Sequence, residues 1–80
     1  MFNRIKNYIN DKDFKLTFYK DKLNIINYIS IISLEDYRIS IIIPNSRLII
    51  KGNDLVLNKL YDNELLILGN ITSIEVEDNE

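Results

Sequence analysis

The residues of this chain that could do chemistry are carboxylates, and they occur in three groups. The groups are Glu35 with Asp36, Asp62 with Glu64, and Glu75 with Glu77 and Asp78. Two carboxylates with separated pKa values across a cleft could hydrolyse a glycosidic bond, and clustered carboxylates could hold Ca²⁺ or Mg²⁺. The groups match no calcium-loop spacing, and short hairpins in an 80-residue chain leave little room for a cleft. We therefore interpret them as turn residues and solvated strand edges.

Composition argues against other catalytic and metal chemistry. The chain has no histidine and no cysteine, which removes the usual base for an activated serine, the disulfide and the commonest metal ligands. Two glycines cannot make a phosphate-cradling loop. The sequence therefore predicts a protein that is not an enzyme, with no cofactor, no metal ion and no small-molecule substrate.

The elements that would position a site are short strands. From Phe14 onward, apolar runs alternate with turn residues every seven to nine positions, a pattern typical of all-β proteins. Strands are expected near residues 14–19, 23–27, 29–34, 37–43, 47–51, 54–59, 64–68 and 71–77. No separator is long enough for a crossover helix, so pairing is expected to be antiparallel. The predicted fold class is all-β, a small, mostly antiparallel sheet or sandwich of seven to eight short strands.

The separators between these strands have turn chemistry. Pro44 pre-sets the first angle of a turn and Asn45 tolerates an unusual second one. Glycine followed by asparagine, at residues 52–53 and 69–70, can adopt the positive φ that tight hairpins need. The residues with predicted structural roles in turns or tight backbone are Asn27, Pro44, Asn45, Gly52, Asn53, Gly69 and Asn70.

Residues 1–12 are expected to form an amphipathic helix or arm. Phe2, Ile5, Tyr8 and Ile9 would share one helical face. A helix of about ten residues is not stable alone in water, so we expect it to dock on the domain. Peripheral contact with a membrane surface is the lesser alternative, because such anchoring needs more basic residues and more apolar area. The domain organisation is then the helix at 1–12, a β domain at 13–77 and an acidic tail at 78–80.

Charge is unevenly distributed along the chain. The net charge is −2, but residues 1–22 carry +3 and residues 23–80 carry −5. Either both ends are simply solvated, or the basic start meets an anionic surface or the acidic end of a neighbouring copy. No apolar run approaches the ~20 residues of a membrane span, and the N-terminus lacks the apolar core of a signal peptide. A cytoplasmic location is therefore expected.

Several predicted strands are apolar on both faces, in residues 41–43, 48–50, 55–57 and 65–68. One small sheet cannot bury both faces, so either sheets pack as a sandwich with the helix over one outer face or an apolar face contacts another molecule. Self-association or a tight protein partner is the expectation. The predicted interface residues, opposite the more regular core positions, are Ile42, Ile49, Val56 and Ile67.

Three segments of the chain resemble the YabP/YqfC family of bacterial sporulation proteins. Residues 49–57 read IIKGNDLVL, and residues 66–76 read LILGNITSIEV, each with the family's apolar run, glycine and following apolar positions. Residues 23–32 read LNIINYISII, with Asn27 and Tyr28 at the matching places. Together the segments span most of the chain, in family order and spacing.

The chain departs from that family at two turns. Family members usually carry a glycine where this chain has Tyr19, and another near Pro44 and Asn45. The resemblance implies a non-enzymatic protein that acts in spore formation, in envelope or coat assembly, on the mother-cell side or the spore surface. It implies no catalytic or ligand-binding residues.

A nucleic-acid-binding module is the alternative from a different class. A short helix followed by strands also describes small Sm-like or OB-like barrels, and residues 14–20 interleave aromatics with lysines as a base-stacking platform would. The pI of about 5.0 and the lack of a basic stripe after Lys22 disfavour it, because phosphate affinity comes from clustered positive charge.

Overall fold

The computed structural model describes residues 14–78, and these residues form one six-stranded antiparallel sheet. The strands are β1 (Lys15–Phe18), β2 (Lys22–Ile26), β3 (Ser30–Glu35), β4 (Arg38–Ile43), β5 (Ser46–Tyr61) and β6 (Glu64–Asp78). Their order in the sheet is β1-β2-β6-β5-β4-β3. The prediction of an all-β, antiparallel fold is confirmed, with no helix in residues 14–78. The helix expected at 1–12 and the last two residues of the predicted tail lie outside this range.

The predicted count of seven to eight strands is wrong, because two pairs of expected strands are single long ones. β5 covers the segments 47–51 and 54–59, and β6 covers 64–68 and 71–77. The glycine–asparagine pairs therefore make no hairpin turns. Gly52 lies opposite Ile71, and Asn53 lies opposite Asn70. The two long strands bend together at this level without reversing direction.

Close approach of two backbones explains why glycines occupy the bend. Gly69 has a φ of 126°, and a Cβ built there would lie 2.6 Å from the Asp54 carbonyl oxygen. A Cβ on Gly52 would collide with the Asn70 carbonyl oxygen. The positive φ expected near Gly52 falls instead on Asp54, at 55°, beside the register shift that lets β5 bend.

The bend folds the sheet over on itself around one core. β2 and β4 are separated in the sheet by β6 and β5, yet Leu23 of β2 and Ile41 of β4 are both fully buried in one cluster. This requires two facing layers. The β4 layer contains β3, β4, the first half of β5 and the second half of β6. The β2 layer contains β1, β2 and the remaining halves of β5 and β6.

The core is made of alternate residues from the inner faces of the two layers, as the two-residue repeat of a strand requires. It comprises Leu23, Ile25, Ile39, Ile41, Ile43, Leu48, Ile50, Leu55, Leu65 and Ile67. Burial of each such side chain stabilises the fold by about 1.5–3 kcal/mol. Isoleucine suits this arrangement because branched side chains pack well on a pleated surface.

Hydrogen bonds outside the strand ladders hold the segments that flank β3. Near its start, the Asn27 amide donates to the Asn63 carbonyl at 2.7 Å, and the Tyr28 hydroxyl donates to the Asp62 carbonyl at 3.3 Å. Near its end, the Leu55 amide donates to a carbonyl of the β3–β4 turn at 2.8 Å. The segments that flank β3 are therefore tied to Leu55 of β5 and to the β5–β6 turn, whereas among residues 14–78 β3 itself pairs only with β4.

The turn between β4 and β5 depends on one left-handed residue. Pro44 is followed by Asn45 at φ 66°, the combination that a type II turn uses. We expect Asn45→Ala to destabilise the fold by about 1 kcal/mol, since a Cβ disfavours this region, and Asn45→Gly to cost much less. Urea unfolding midpoints of the two variants test this. Equal losses would mean that contacts of the asparagine side chain, rather than its φ, stabilise the turn.

Candidate functional site

The four residues predicted for an interface do not share one surface. Ile67 is fully buried in the core and is therefore removed from the predicted interface. Ile49 is buried, with 3% of its surface exposed, although it pairs with Ser40 and lies on the face opposite the core. Ile42 is half-buried, and Val56 is 52% exposed. Only Val56 presents a large apolar surface to solvent.

Because residues 65–68 are all apolar, the sequence does not show which of their side chains point inward. Leu65 and Ile67 lie in the core, whereas Leu66 and Leu68 are half-buried on the opposite face. Leu68 pairs with the exposed Val56 across the β5–β6 ladder. Leu66 and Leu68 were missed because a run of four apolar residues has no alternation from which the outer face could be predicted.

Exposed apolar side chains concentrate in two segments of the described chain. Of the ten large hydrophobic residues that are exposed among residues 14–78, seven lie on β3, on the second half of β5 or in the turns beside them. They are Ile29, Ile32, Leu34, Tyr37, Val56, Leu60 and Tyr61. Four of them, Ile29, Ile32, Leu34 and Tyr37, lie on β3 or directly beside it, and we call this group the β3 side. It is the candidate functional site because monomeric proteins rarely expose clustered apolar surface without a use for it.

A hydrogen-bonded pair lies at the end of β3 on this side. The Glu35 carboxylate accepts a hydrogen bond from the Tyr37 phenol, and this bond together with the negative charge raises the pKa of Tyr37 above its ordinary value. The neutral phenol is therefore the form that the folded chain favours. The contribution of this hydrogen bond to the stability of the fold is present at neutral pH and is lost only as pH rises through the raised pKa of Tyr37.

A shallow groove of about 530 Å³ lies at the β1–β2 turn. It is lined by Tyr19, Lys20, Asp21, Lys22, Asn24, Leu60, Glu64 and Leu66. The Asn24 side-chain amide donates to a Glu64 carboxylate oxygen at 3.0 Å and to the Leu65 carbonyl at 3.1 Å. The groove therefore combines charges of both signs with an apolar floor, and it resembles no arrangement of acid, base and nucleophile.

Two surface ion pairs join β5 to β6 on either side of Ile49. Arg47 lies 3.9 Å from Glu77, and Lys51 lies 3.6 Å from Glu75. All four side chains are about half exposed, so each pair contributes little to stability. Each of these four charges nonetheless has an oppositely charged partner within the same chain.

The fold and the β3 side define a small all-β protein with exposed apolar side chains on and beside an edge strand. Within residues 14–78, no group of three or more carboxylates is placed to hold a metal ion. The same residues contain no helix of the length and hydrophobicity needed to cross a bilayer. Comparisons with family models, curated proteins and solved structures find no match to this chain.

Proposed function

We propose that this protein is a non-enzymatic assembly protein that works through protein–protein contacts, including contacts between copies of itself. The observation that carries the proposal is the β3 side, where four of the ten exposed large hydrophobic residues of the described chain lie on one edge strand or directly beside it.

The energetics of a small domain support this proposal. An 80-residue chain buries only about 60% of its unfolded surface, so its stability margin is small. Each isoleucine or leucine left in water forgoes about 1.5–3 kcal/mol, whereas a whole domain is stable by only about 5–15 kcal/mol. Association would recover this energy without a disulfide or a metal ion.

Spore formation is the proposed biological setting, and envelope or coat assembly the proposed role. The three segments that resemble the YabP/YqfC family support this setting. The protein would then act on the mother-cell side or at the spore surface. Its basic N-terminal segment would supply a second, weaker contact, with an anionic surface or with a neighbouring copy.

The solution mass tests the proposal. Light scattering across a range of protein concentration and salt is expected to show a mass above the 9.5 kDa of one chain that falls on dilution. Apolar contacts should make this association insensitive to moderate salt, since screening acts on charges. A mass of 9.5 kDa at every concentration would overturn self-assembly.

Single-stranded nucleic-acid binding is the second candidate, and one observation favours it. Phe18 and Tyr19 are 51% and 54% exposed, and Tyr19 lines the groove together with Lys20 and Lys22. Aromatic stacking beside lysines is how such modules bind bases. Fluorescence anisotropy with a labelled oligonucleotide distinguishes the candidates, because binding that weakens steeply with salt would favour this one.

A further inference from the structure

We infer that β3 is the contact between two copies of this chain, with the outer edge of Ser30–Glu35 pairing antiparallel to the same edge of a second copy. This inference rests on the proposed function, and it names the partner and the surface. The contact would be isologous, about a two-fold axis, which is the commonest symmetry of soluble homo-oligomers.

The backbone of β3 is available for such pairing. β3 is the last strand of the sheet and pairs only with β4 among the described residues. Its hydrogen bonds to the other layer occur only beyond its two ends, at the β2–β3 connection and the β3–β4 turn. Among residues 14–78, no strand pairs with the outer edge of Ser30–Glu35, so this edge is available as a template for another strand.

Charge distinguishes β3 from the other free edges of the folded sheet. Natural edge strands are usually protected from pairing by lysine, other charges, proline or a β-bulge. β1 carries Lys15, the second half of β5 carries Lys59, and the second half of β6 carries Glu75 and Glu77. β3 contains no lysine, arginine or proline, and its one charged residue, Glu35, is at its end.

The side chains on and beside β3 supply the apolar part of the contact. Ile29, Ile32, Leu34 and Tyr37 are each between 51% and 60% exposed. Ile32 is the extra residue of a bulge between Ile31 and Ser33, so it has no partner on β4. The bulge twists the edge and limits pairing to a short segment, which favours a closed dimer over open-ended stacking.

The sequence of β3 is compatible with pairing to itself. A two-fold axis near the middle of the strand, between Ile32 and Ser33, places Glu35 of one copy opposite Ser30 of the other. The two carboxylates then lie about 16 Å apart, five residues along a strand, and no like charges oppose each other. A single six-residue edge gives a small interface, below about 1,200 Å² in total. The dimer should therefore dissociate on dilution.

The first experiment compares two lysine substitutions at equally exposed sites. Leu34→Lys lies on β3, and the control Val76→Lys lies on β6; the two side chains are 55% and 56% exposed. We expect Leu34→Lys to raise the dimer dissociation constant at least about tenfold, because the ammonium must lose water on pairing. Val76→Lys should leave it unchanged, and circular dichroism should show both variants folded. Equal constants for wild type and Leu34→Lys would overturn the β3 assignment.

The second experiment uses the absence of cysteine, which lets one introduced thiol report contacts between copies. Ser33→Cys and Ser73→Cys are matched, since both serines are half-buried on edges of the β4 layer. Under mild oxidation we expect Ser33→Cys to form a disulfide-linked dimer much faster than Ser73→Cys. Equal rates with an oligomeric wild type would overturn the β3 assignment alone, whereas a monomeric wild type would overturn the proposed self-assembly.

Discussion

Gly69→Ala is expected to unfold the protein or to destabilise it by about 3 kcal/mol or more. Two costs combine at this residue. Its φ of 126° lies in a region that residues with a Cβ rarely adopt, and the new Cβ would lie 2.6 Å from the Asp54 carbonyl oxygen. That oxygen belongs to the backbone of the paired strand β5 and cannot move unless the bend opens. Because the bend brings the two layers together, opening it would expose the core.

Urea or thermal unfolding followed by circular dichroism measures this loss. Asn53→Ala is the matched control, since Asn53 lies in the same bend and is exposed, with a negative φ. A substitution at such a site should change stability by no more than about 0.5 kcal/mol. If Gly69→Ala unfolds at the wild-type midpoint, the bend does not require the close backbone approach described here.

The two glycines show that sequence alone does not distinguish a hairpin turn from a bend. Gly52 and Gly69 each separate two apolar runs, and glycine followed by asparagine is a strong hairpin signal. A bend needs the same residue type, because both structures require backbone that a Cβ would obstruct. What distinguishes the bend from a hairpin turn is the pairing of residues 52 and 53 with residues 71 and 70. That pairing is a non-local property, and it converts eight expected strands into six.

Strand positions outside the bend were predictable because local chemistry specifies them. The expected segments 23–27 and 37–43 lie within one residue, at either end, of β2 (Lys22–Ile26) and β4 (Arg38–Ile43). Each is an Ile- and Leu-rich run that ends at polar or proline-containing turn residues. Branched side chains favour the strand, and the turn residues end it.

The candidate site could not be predicted in the same way, because it depends on strand order. β3 is an edge strand because β2 pairs with β6, about forty residues later, rather than with β3. Nothing in residues 29–34 indicates this. Sequence reasoning instead selected Ile49 and Ile67, which lie on central strands where neighbouring chain covers them. Exposure of Ile32 and Leu34 follows from topology, whereas their apolar character is visible in the sequence.

Ile67→Ala is expected to destabilise the fold by about 2–5 kcal/mol, the usual cost of truncating a fully buried isoleucine. Ile67 has no exposed surface and pairs with Leu23 on one side and Leu57 on the other. The cavity would lie inside the core, where rigid strands on both sides limit collapse. Chemical unfolding measures the loss, and light scattering under native conditions measures the mass of the protein that remains folded.

The combination of these two measurements separates a core residue from an interface residue. A core role predicts a large stability loss with an unchanged dissociation constant, since Ile67 is fully enclosed within one chain. Val56→Ala is the control, because Val56 is on the paired strand β5 but is 52% exposed, so truncation should cost less than about 1 kcal/mol. Weakened association of Ile67→Ala with wild-type stability would contradict the assignment to the core, and would return this residue to the interface that its apolar run first suggested.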